Sequence, residues 1–389
     1  MAGSRCTFCG EAGSPARRLV SGPGDVSICR ECADLAVRVL DEPEHSEPDL
    51  VLTDVGLLVT MDPRRGGLLG AVEDVSIAVR RGRVVWFGPP GSLPEPYRSL
   101  PELECGGRMV MPGMVDAAAS LLGAPSDERP EPVSLAESAT SALRRMMVRG
   151  ITSVDLRVGG GFQPTGETLR MAVARSVADR MPIKVSVTWR CGPDISESSL
   201  RDVMAPTAAR LVDAVAVACR GDRSDLQTRI EACRAIPYRI DCGEPEPEAC
   251  LDFLSRALSA EGVPATGIGA GGPPPVVKWW EPGRALGHWS VGERPALATY
   301  SDPSERMIAG MGLVMMAAVD LAGMRLDQAI WSVTRGGALA TGDADRGWVH
   351  LGGPADLVVI DGDEPDDLVR RPDSDTAWRV VVGGVEFER

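Results

Sequence analysis

The sequence predicts an α/β protein that combines a β/α barrel with short β-rich segments and a small metal-binding module at the N-terminus. Helical and strand-like runs alternate between residues 112 and 339, as in a barrel of parallel strands covered by helices. Short β-rich runs bounded by glycine turns lie before and after this region. Two C-x2-C pairs occur within the first 40 residues. The 389 residues are too many for one small domain, so several domains are expected.

The N-terminal module, residues 1–40, is predicted from the spacing of its cysteines. Cys6 and Cys9 form one C-x2-C pair, and Cys29 and Cys32 form the second, with a polar, glycine-rich loop between them. Four thiolates in this arrangement surround one tetrahedral Zn²⁺. A segment of this length buries too little apolar surface to fold alone, so a structural zinc would supply the missing stability. A disulfide pair and a redox dithiol are the alternatives.

The residues around these cysteines resemble the zinc-binding domain of the unfoldase ClpX. The resemblance rests on the segments Cys6-Thr-Phe-Cys-Gly, 17–24 and 28–35, and a short helix is expected over residues 34–40. In that family the module dimerises and docks adaptors or unfolded substrates. The resemblance therefore implies zinc binding together with self-association or a protein partner. No Walker phosphate-binding sequence occurs, so the ATPase of that family is not expected here.

The overall charge argues against two classes of partner. The formal net charge is -14 and the sequence pI is near 4.9, whereas nucleic acids and anionic membranes require a basic surface. No apolar run reaches the ~18 residues that span a bilayer, and no hydrophobic signal segment is recognised, so a cytoplasmic protein is expected. The six cysteines outside the module are interpreted as small buried hydrophobic residues. They are Cys105, Cys191, Cys219, Cys233, Cys242 and Cys250.

Residues 41–49 are acidic and contain two prolines, which is typical of a solvated linker. Period-two and helical patterns after this linker predict the individual elements. Strands are expected at Leu50–Thr60, Val75–Arg80, Arg83–Phe87, Ile151–Leu156, Ile183–Trp189 and Val380–Phe387, and helices at Leu135–Arg149 and Glu167–Arg180.

Met111–Leu121 reads M-P-G-M-V-D-A-A-A-S-L and resembles the amidohydrolase superfamily segment Pro-Gly-hydrophobic-hydrophobic-Asp-x-His-x-His. Gly347–Asp361 resembles the closing strands of that superfamily, while Gly150–Gly161 and Ala296–Pro303 look most like imidazolonepropionases. The resemblance covers residues 50–389. It implies that residues 50–111 and 340–389 are two halves of one small β-sandwich, with a TIM-like barrel, residues 112–339, inserted between them.

The same resemblance places unsuitable side chains at most positions that hold metal in the family. The two strand-one histidines are replaced by Ala118 and Ser120, and a methyl or hydroxyl group cannot replace an imidazole ligand. Asp241 falls at a further ligand position, and Glu244 aligns with a catalytic acid. Tyr300 takes the place of the aspartate that binds metal and accepts a proton from water. A phenol with a pKa near 10 is a poor base at neutral pH.

Two functions from different classes follow. The first is a non-catalytic amidohydrolase-like protein, or pseudoenzyme, that acts as a scaffold or adaptor through its zinc finger. The alternative is a hydrolase of carbon-nitrogen bonds in a cyclic amide, with an altered site formed by Asp155, Asp241, Glu244 and Asp302. A third possibility is that the barrel binds a small molecule without turning it over. Trp279 and Trp280 are expected either to line such a pocket or to cap the barrel.

Overall fold

The computed structural model describes residues 18–21, 27–29, 49–122, 132–159, 164–191, 210–219, 238–242, 274–303, 307–371 and 376–387. The chain divides into two compact units, Met1–Pro48 and Asp49–Arg389. In the first unit, strands β1 (Leu19–Ser21) and β2 (Ser27–Cys29) form an antiparallel hairpin in the register Leu19 to Cys29. The helix predicted at 34–40 lies outside the described residues.

The second unit contains strands of a small sheet and of a barrel, connected by helices. Its strands are β3 (Leu50–Val59), β4 (Ala71–Arg80), β5 (Arg83–Gly88), β6 (Glu102–Glu104), β7 (Met109–Pro112), β8 (Met114–Ala119), β9 (Ile151–Gly159), β10 (Lys184–Cys191), β11 (Ala214–Cys219), β12 (Tyr238–Cys242), β13 (Val276–Lys278), β14 (Ala296–Ala298), β15 (Leu357–Ile360), β16 (Ala377–Val382) and β17 (Val385–Phe387). Its helices are α1 (Pro132–Met147), α2 (Pro164–Ala178), α3 (Pro282–Ser290), α4 (Met311–Met316), α5 (Leu326–Val333), α6 (Arg335–Ala340) and α7 (Asp367–Arg370). A π-helical turn, Ala317–Leu321, continues α4, and 3-10 turns lie at Pro63–Arg65, Pro90–Ser92 and Glu95–Tyr97.

Strands from both ends of the second unit form one eight-stranded sheet. Its order is β17-β16-β15-β7-β3-β4-β5, with β6 paired to β3. The two ends meet where β7 pairs antiparallel with β15. An isolated bridge between Arg83 and Pro354 ties β5 to the segment that precedes β15. The structure therefore joins the two chain ends as the amidohydrolase resemblance implied, in one continuous sheet.

Successive residues of this sheet pack into two different cores, because side chains of a strand alternate between its faces. Val110 and Val359 contribute to a core with Leu52 and Ile77. Met111, Val358 and Val380 lie on the opposite face of the sheet and pack into the large core that contains the barrel strands. The face that carries Val110 and Val359 therefore has a core of its own. The face that carries Met111 and Val358 packs against the barrel.

The single closing strand predicted at Val380–Phe387 is wrong. The structure has two antiparallel strands there, β16 and β17, joined at Gly383 and Gly384. Both glycines have positive φ, 54° and 83°, a pattern typical of a two-residue hairpin turn. The prediction failed because the apolar run was interpreted without giving weight to the paired glycines.

The described barrel strands follow the chain order of a β/α barrel. Strands β12-β11-β10-β9-β8 form a parallel sheet, and β13 pairs in parallel with β14. Beyond β14, the Tyr300 N–H donates to the Ala118 carbonyl at 2.8 Å, and the Ser120 N–H donates to the Ser301 carbonyl at 2.8 Å. The first barrel strand is thus bonded to the segment after β14, as barrel closure requires. Residues 243–273 lie outside the described part of the chain.

Helix α1 shows why the outer helices pack on this sheet. Its fully or nearly buried residues are Ala139, Ala142, Leu143, Met146 and Met147, which recur at the three- and four-residue spacing of one helix face. The helix ends before Gly150, whose φ of 89° is readily adopted by glycine. In the part of the chain that the structure describes, no helix has the length and apolar character needed to cross a bilayer.

Candidate site at the carboxyl ends of the barrel strands

Ala118 and Ser120, the two positions at which the resemblance places metal-binding histidines, differ in their surroundings. Ala118 is fully buried and packs in a cluster with Ala117, Ala296, Ala298 and Ala340. Ser120 follows β8 and is half-buried. The structure thus brings Ala118 together with β14, while its methyl group offers no lone pair to a metal.

Tyr300, at the aspartate position of the resemblance, packs against the same alanine cluster. Its φ of 47° lies in the left-handed region that residues other than glycine seldom adopt. Its ring lies 5.9 Å from the Trp280 ring, centroid to centroid, in an edge contact. Trp280 contacts Trp279 in the same manner at 6.0 Å and is 41 % exposed. Aromatic rings therefore lie beside β13 and β14 at this end of the barrel.

The Ala118→His variant is expected to lose stability and to gain no metal. An imidazole at a fully buried alanine requires displacement of its neighbours, which costs about 1–3 kcal/mol in the free energy of unfolding. Urea unfolding and metal analysis of the purified protein would measure both effects. Ser120→His is the matched control, because its half-buried site has more room. A stable Ala118→His protein with an additional bound metal would contradict the expectation.

Asp116, two residues before Ala118, is a buried carboxylate that joins the first barrel strand to the last. It accepts hydrogen bonds from the N–H of Ala118 at 3.2 Å and of Thr299 at 3.1 Å, and from the Thr299 hydroxyl. Burial raises the pKa of Asp116 from 3.8 to about 6, against the opposing effects of these hydrogen bonds and of Arg157. The sequence interpretation passed over Asp116, although it is the aspartate within the motif that was recognised.

Arg157 is a second buried group that the sequence interpretation missed. It lies on β9 with 8 % of its surface exposed. Its Nη2 donates to the Ala117 carbonyl at 3.3 Å, and its Nη1 lies 3.5 Å from the Tyr300 hydroxyl oxygen. Its Nε is 3.5 Å from a carboxylate oxygen of Asp155. A fixed positive charge is thus held between the first two barrel strands and Tyr300.

The four acidic residues of the alternative hydrolase site are only partly placed by the structure. Asp155 is fully buried and accepts hydrogen bonds from Thr188 at 2.6 Å and Ser186 at 3.1 Å, in addition to pairing with Arg157. Asp302 is half-buried after β14. Asp241 lies on β12, where only the backbone is described, and Glu244 lies outside the described residues. Among the described residues, no three His, Cys, Asp or Glu side chains are grouped so that they could hold a metal ion.

The predicted zinc ligands remain predictions. Cys29 is the last residue of β2, and its side chain is not described; Cys6, Cys9 and Cys32 lie outside the described residues. The β1–β2 hairpin follows the first cysteine pair in the sequence and ends at Cys29, the first cysteine of the second pair. Four thiolates remain a donor set suited to tetrahedral zinc.

Comparison with known proteins covers both units. Residues 4–42 match the model of the ClpX C4-type zinc finger, and residues 275–386 match the amidohydrolase family model. Imidazolonepropionase from Brucella abortus (strain S19) is 24 % identical over 380 residues, covering 81 % of this chain and 94 % of that protein. The corresponding protein from Cutibacterium acnes (strain DSM 16379 / KPA171202) is 26 % identical over 392 residues, covering 86 % and 96 %.

Solved structures show the same architecture. A triazine hydrolase variant superposes with a TM-score of 0.66 at 14 % identity, covering 88 % of this chain and 95 % of that one. N-isopropylammelide isopropylaminohydrolase from Burkholderia multivorans ATCC 17616 gives 0.64 at 15 % identity, covering 88 % and 98 %. The chain has an amidohydrolase fold. Its amidohydrolase-type region follows a segment that matches a C4 zinc finger, and that match implies zinc binding.

Proposed function

We propose that this chain is a non-catalytic member of the amidohydrolase-like proteins, a pseudoenzyme that acts as a protein-interaction scaffold or adaptor through its ClpX-type zinc finger. The observation that carries the proposal is that side chains unsuited to metal binding occupy the positions at the first and last barrel strands where the resemblance places metal ligands. Ala118 is sealed in an alanine cluster, and Tyr300 takes the aspartate position beside the Arg157 guanidinium.

The position of Arg157 supports the absence of a catalytic metal in this barrel. Its guanidinium bonds to the carbonyl of Ala117, the neighbour of the strand-one ligand position, and lies over the Tyr300 ring at 5.5 Å from the ring centroid. A divalent cation bound nearby would be repelled by this fixed charge in a poorly solvated environment. The Asp155 carboxylate is engaged as well, since it pairs with Arg157 and accepts two hydroxyl hydrogen bonds.

The scaffold role is supported by the zinc finger and by the fold. A fold alone does not confer catalytic activity. A barrel that has lost its metal-binding side chains still has the apolar core that holds it together. The match to the ClpX-type zinc finger favours self-association or the docking of another protein. The proposed zinc ligands are Cys6, Cys9, Cys29 and Cys32, and the proposed metal is structural because four thiolates leave no open coordination position.

Metal content of the purified full-length protein tests the proposal directly. Elemental analysis is expected to give one zinc per chain, and Cys6→Ser is expected to lose it. Cys105→Ala is the matched control and should keep the zinc, because burial raises the pKa of the Cys105 thiol to about 12 and a neutral thiol is a poor metal ligand.

The hydrolase alternative predicts different results in the same samples. The two solved structures named above are hydrolases by their names, and the relatives are named for an imidazolone, so a carbon-nitrogen bond in a cyclic amide is the substrate class to assay. A second metal per chain, metal retained by the Cys6→Ser variant, or measurable turnover of an imidazolone that survives this substitution would overturn the non-catalytic proposal. Addition of zinc, iron or manganese to the assay ensures that metal supply does not limit the result.

A further inference from the structure

A groove on the outer surface of the barrel lies along helix α1 and has a volume of about 650 Å³. Two adjacent rows of side chains at four-residue spacing line it, because residues i and i+4 share one helix face. One row contains Val133, Ser141 and Arg145, and the other contains Ala136, Arg144 and Val148. From 133 to 148 the helix and its following turn would extend about 22 Å at the rise of an α-helix.

The two ends of this α1 groove differ in chemistry. Val133 is 61 % exposed at one end, next to Ala136. Arg144, Arg145 and Arg180 lie at or near the other end, and all three are exposed. Arg145 bonds to the Ser141 hydroxyl at 2.8 Å. Within the described part of the chain, none of these three arginines forms an ion pair with a carboxylate.

These three arginines differ from the many described arginines that pair with a carboxylate in this chain. Its formal net charge is -14, and many of its other arginines are bonded to aspartate or glutamate, as Arg98 is to Glu95. Glu137 is the acidic residue among those lining the groove. Three guanidinium groups against one carboxylate create a local positive potential beside an exposed apolar surface.

We propose that the α1 groove binds an acidic, amphipathic segment of a partner protein, with its apolar side chains over Val133 and Ala136 and its carboxylates at the three arginines. The three arginines favour an acidic ligand by charge complementarity. The apolar end of the groove favours a peptide with apolar side chains over a uniformly charged polyanion. A nucleic acid would gain nothing from the apolar end and would be repelled by the strongly acidic chain. The proposal does not depend on whether the barrel is catalytic.

Binding of a synthetic peptide to the full-length protein tests this assignment. The probe is a fluorescein-labelled helical peptide of about fifteen residues, with leucines in one half and glutamates in the other. Fluorescence anisotropy is expected to show saturable binding that weakens with salt. The Arg144→Glu/Arg180→Glu variant is expected to weaken it at least about tenfold, since each attraction becomes a repulsion. Peptides with Glu replaced by Gln, or Leu by Ser, should also bind more weakly.

Two control variants show whether binding depends on the α1 groove itself. Lys184→Glu makes the same charge reversal as each of the two groove substitutions, at one exposed residue that does not line the groove, and it should leave binding unchanged. Cys6→Ser should also leave it unchanged, which separates the groove from the zinc finger. The proposal fails if no saturable binding occurs, if either control variant weakens binding as much as the double variant, or if a single-stranded oligonucleotide binds more tightly than the peptide.

Discussion

The Arg157→Met variant is expected to lose about 3–5 kcal/mol in its free energy of unfolding. The substitution removes one partner of a buried ion pair and leaves the buried Asp155 carboxylate without the Arg157 guanidinium. It also breaks the contacts that join β9 to Ala117 and Tyr300. Urea unfolding at pH 7, followed by tryptophan fluorescence, measures the loss. Zinc content should not change, because the proposed ligands lie in the other unit.

A double-mutant cycle distinguishes this charge effect from loss of packing. Asp155→Asn/Arg157→Met should be less destabilised than the sum of the two single variants, because the double variant leaves no buried charge of the pair behind. Arg98→Met removes an exposed arginine that pairs with Glu95, and such pairs contribute about 0–1 kcal/mol. A loss below about 1 kcal/mol for Arg157→Met would show that the guanidinium is dispensable for the barrel.

The parts of this fold that could be predicted from sequence are those encoded by local pattern. The buried spacing of α1 and the alternation in the strands were predictable to within a few residues, whereas the closing hairpin was missed at Gly383 and Gly384. Joining the two chain ends into one sheet required a resemblance, since no local pattern relates β7 to β15 across the barrel. The side chains at Ala118 and Tyr300 could be compared with metal ligands from the sequence alone, because that comparison depends only on residue type.

The buried polar network could not be predicted in the same manner. Arg157 and Tyr300 are 143 residues apart, and their contact depends on closure of the barrel and the register of its strands. Asp155 and Arg157 share one face of β9, which identifies them as neighbours but not as a buried pair. Arg180 joins the groove along α1 only because α2 packs beside that helix. Long-range placement, rather than composition, determines these sites.

The Asp116→Asn variant is expected to lose most of the pH dependence that this carboxyl gives to stability. The folded-state pKa of Asp116 is about 6, above the ordinary value of 3.8, so the folded protein holds this proton more tightly. The contribution to stability is therefore fully present below about pH 4 and is lost as the pH rises to about 6. A rise of this size corresponds to about 3 kcal/mol. The free energy of unfolding is measured in urea at pH 4 and at pH 7. Its decrease between the two pH values should be smaller in the variant than in the wild type, by about 3 kcal/mol.

The hydrogen bonds around Asp116 explain why asparagine is the appropriate replacement. Its carbonyl oxygen can accept from the N–H groups of Ala118 and Thr299, and its amide can donate to the Thr299 hydroxyl. Thr299→Val is the complementary variant, because it removes the hydroxyl hydrogen bond that most strongly lowers the pKa of Asp116. The pH range over which stability is lost should then move upward, above about 6. Identical pH profiles for wild type, Asp116→Asn and Thr299→Val would show that Asp116 does not titrate in the folded barrel.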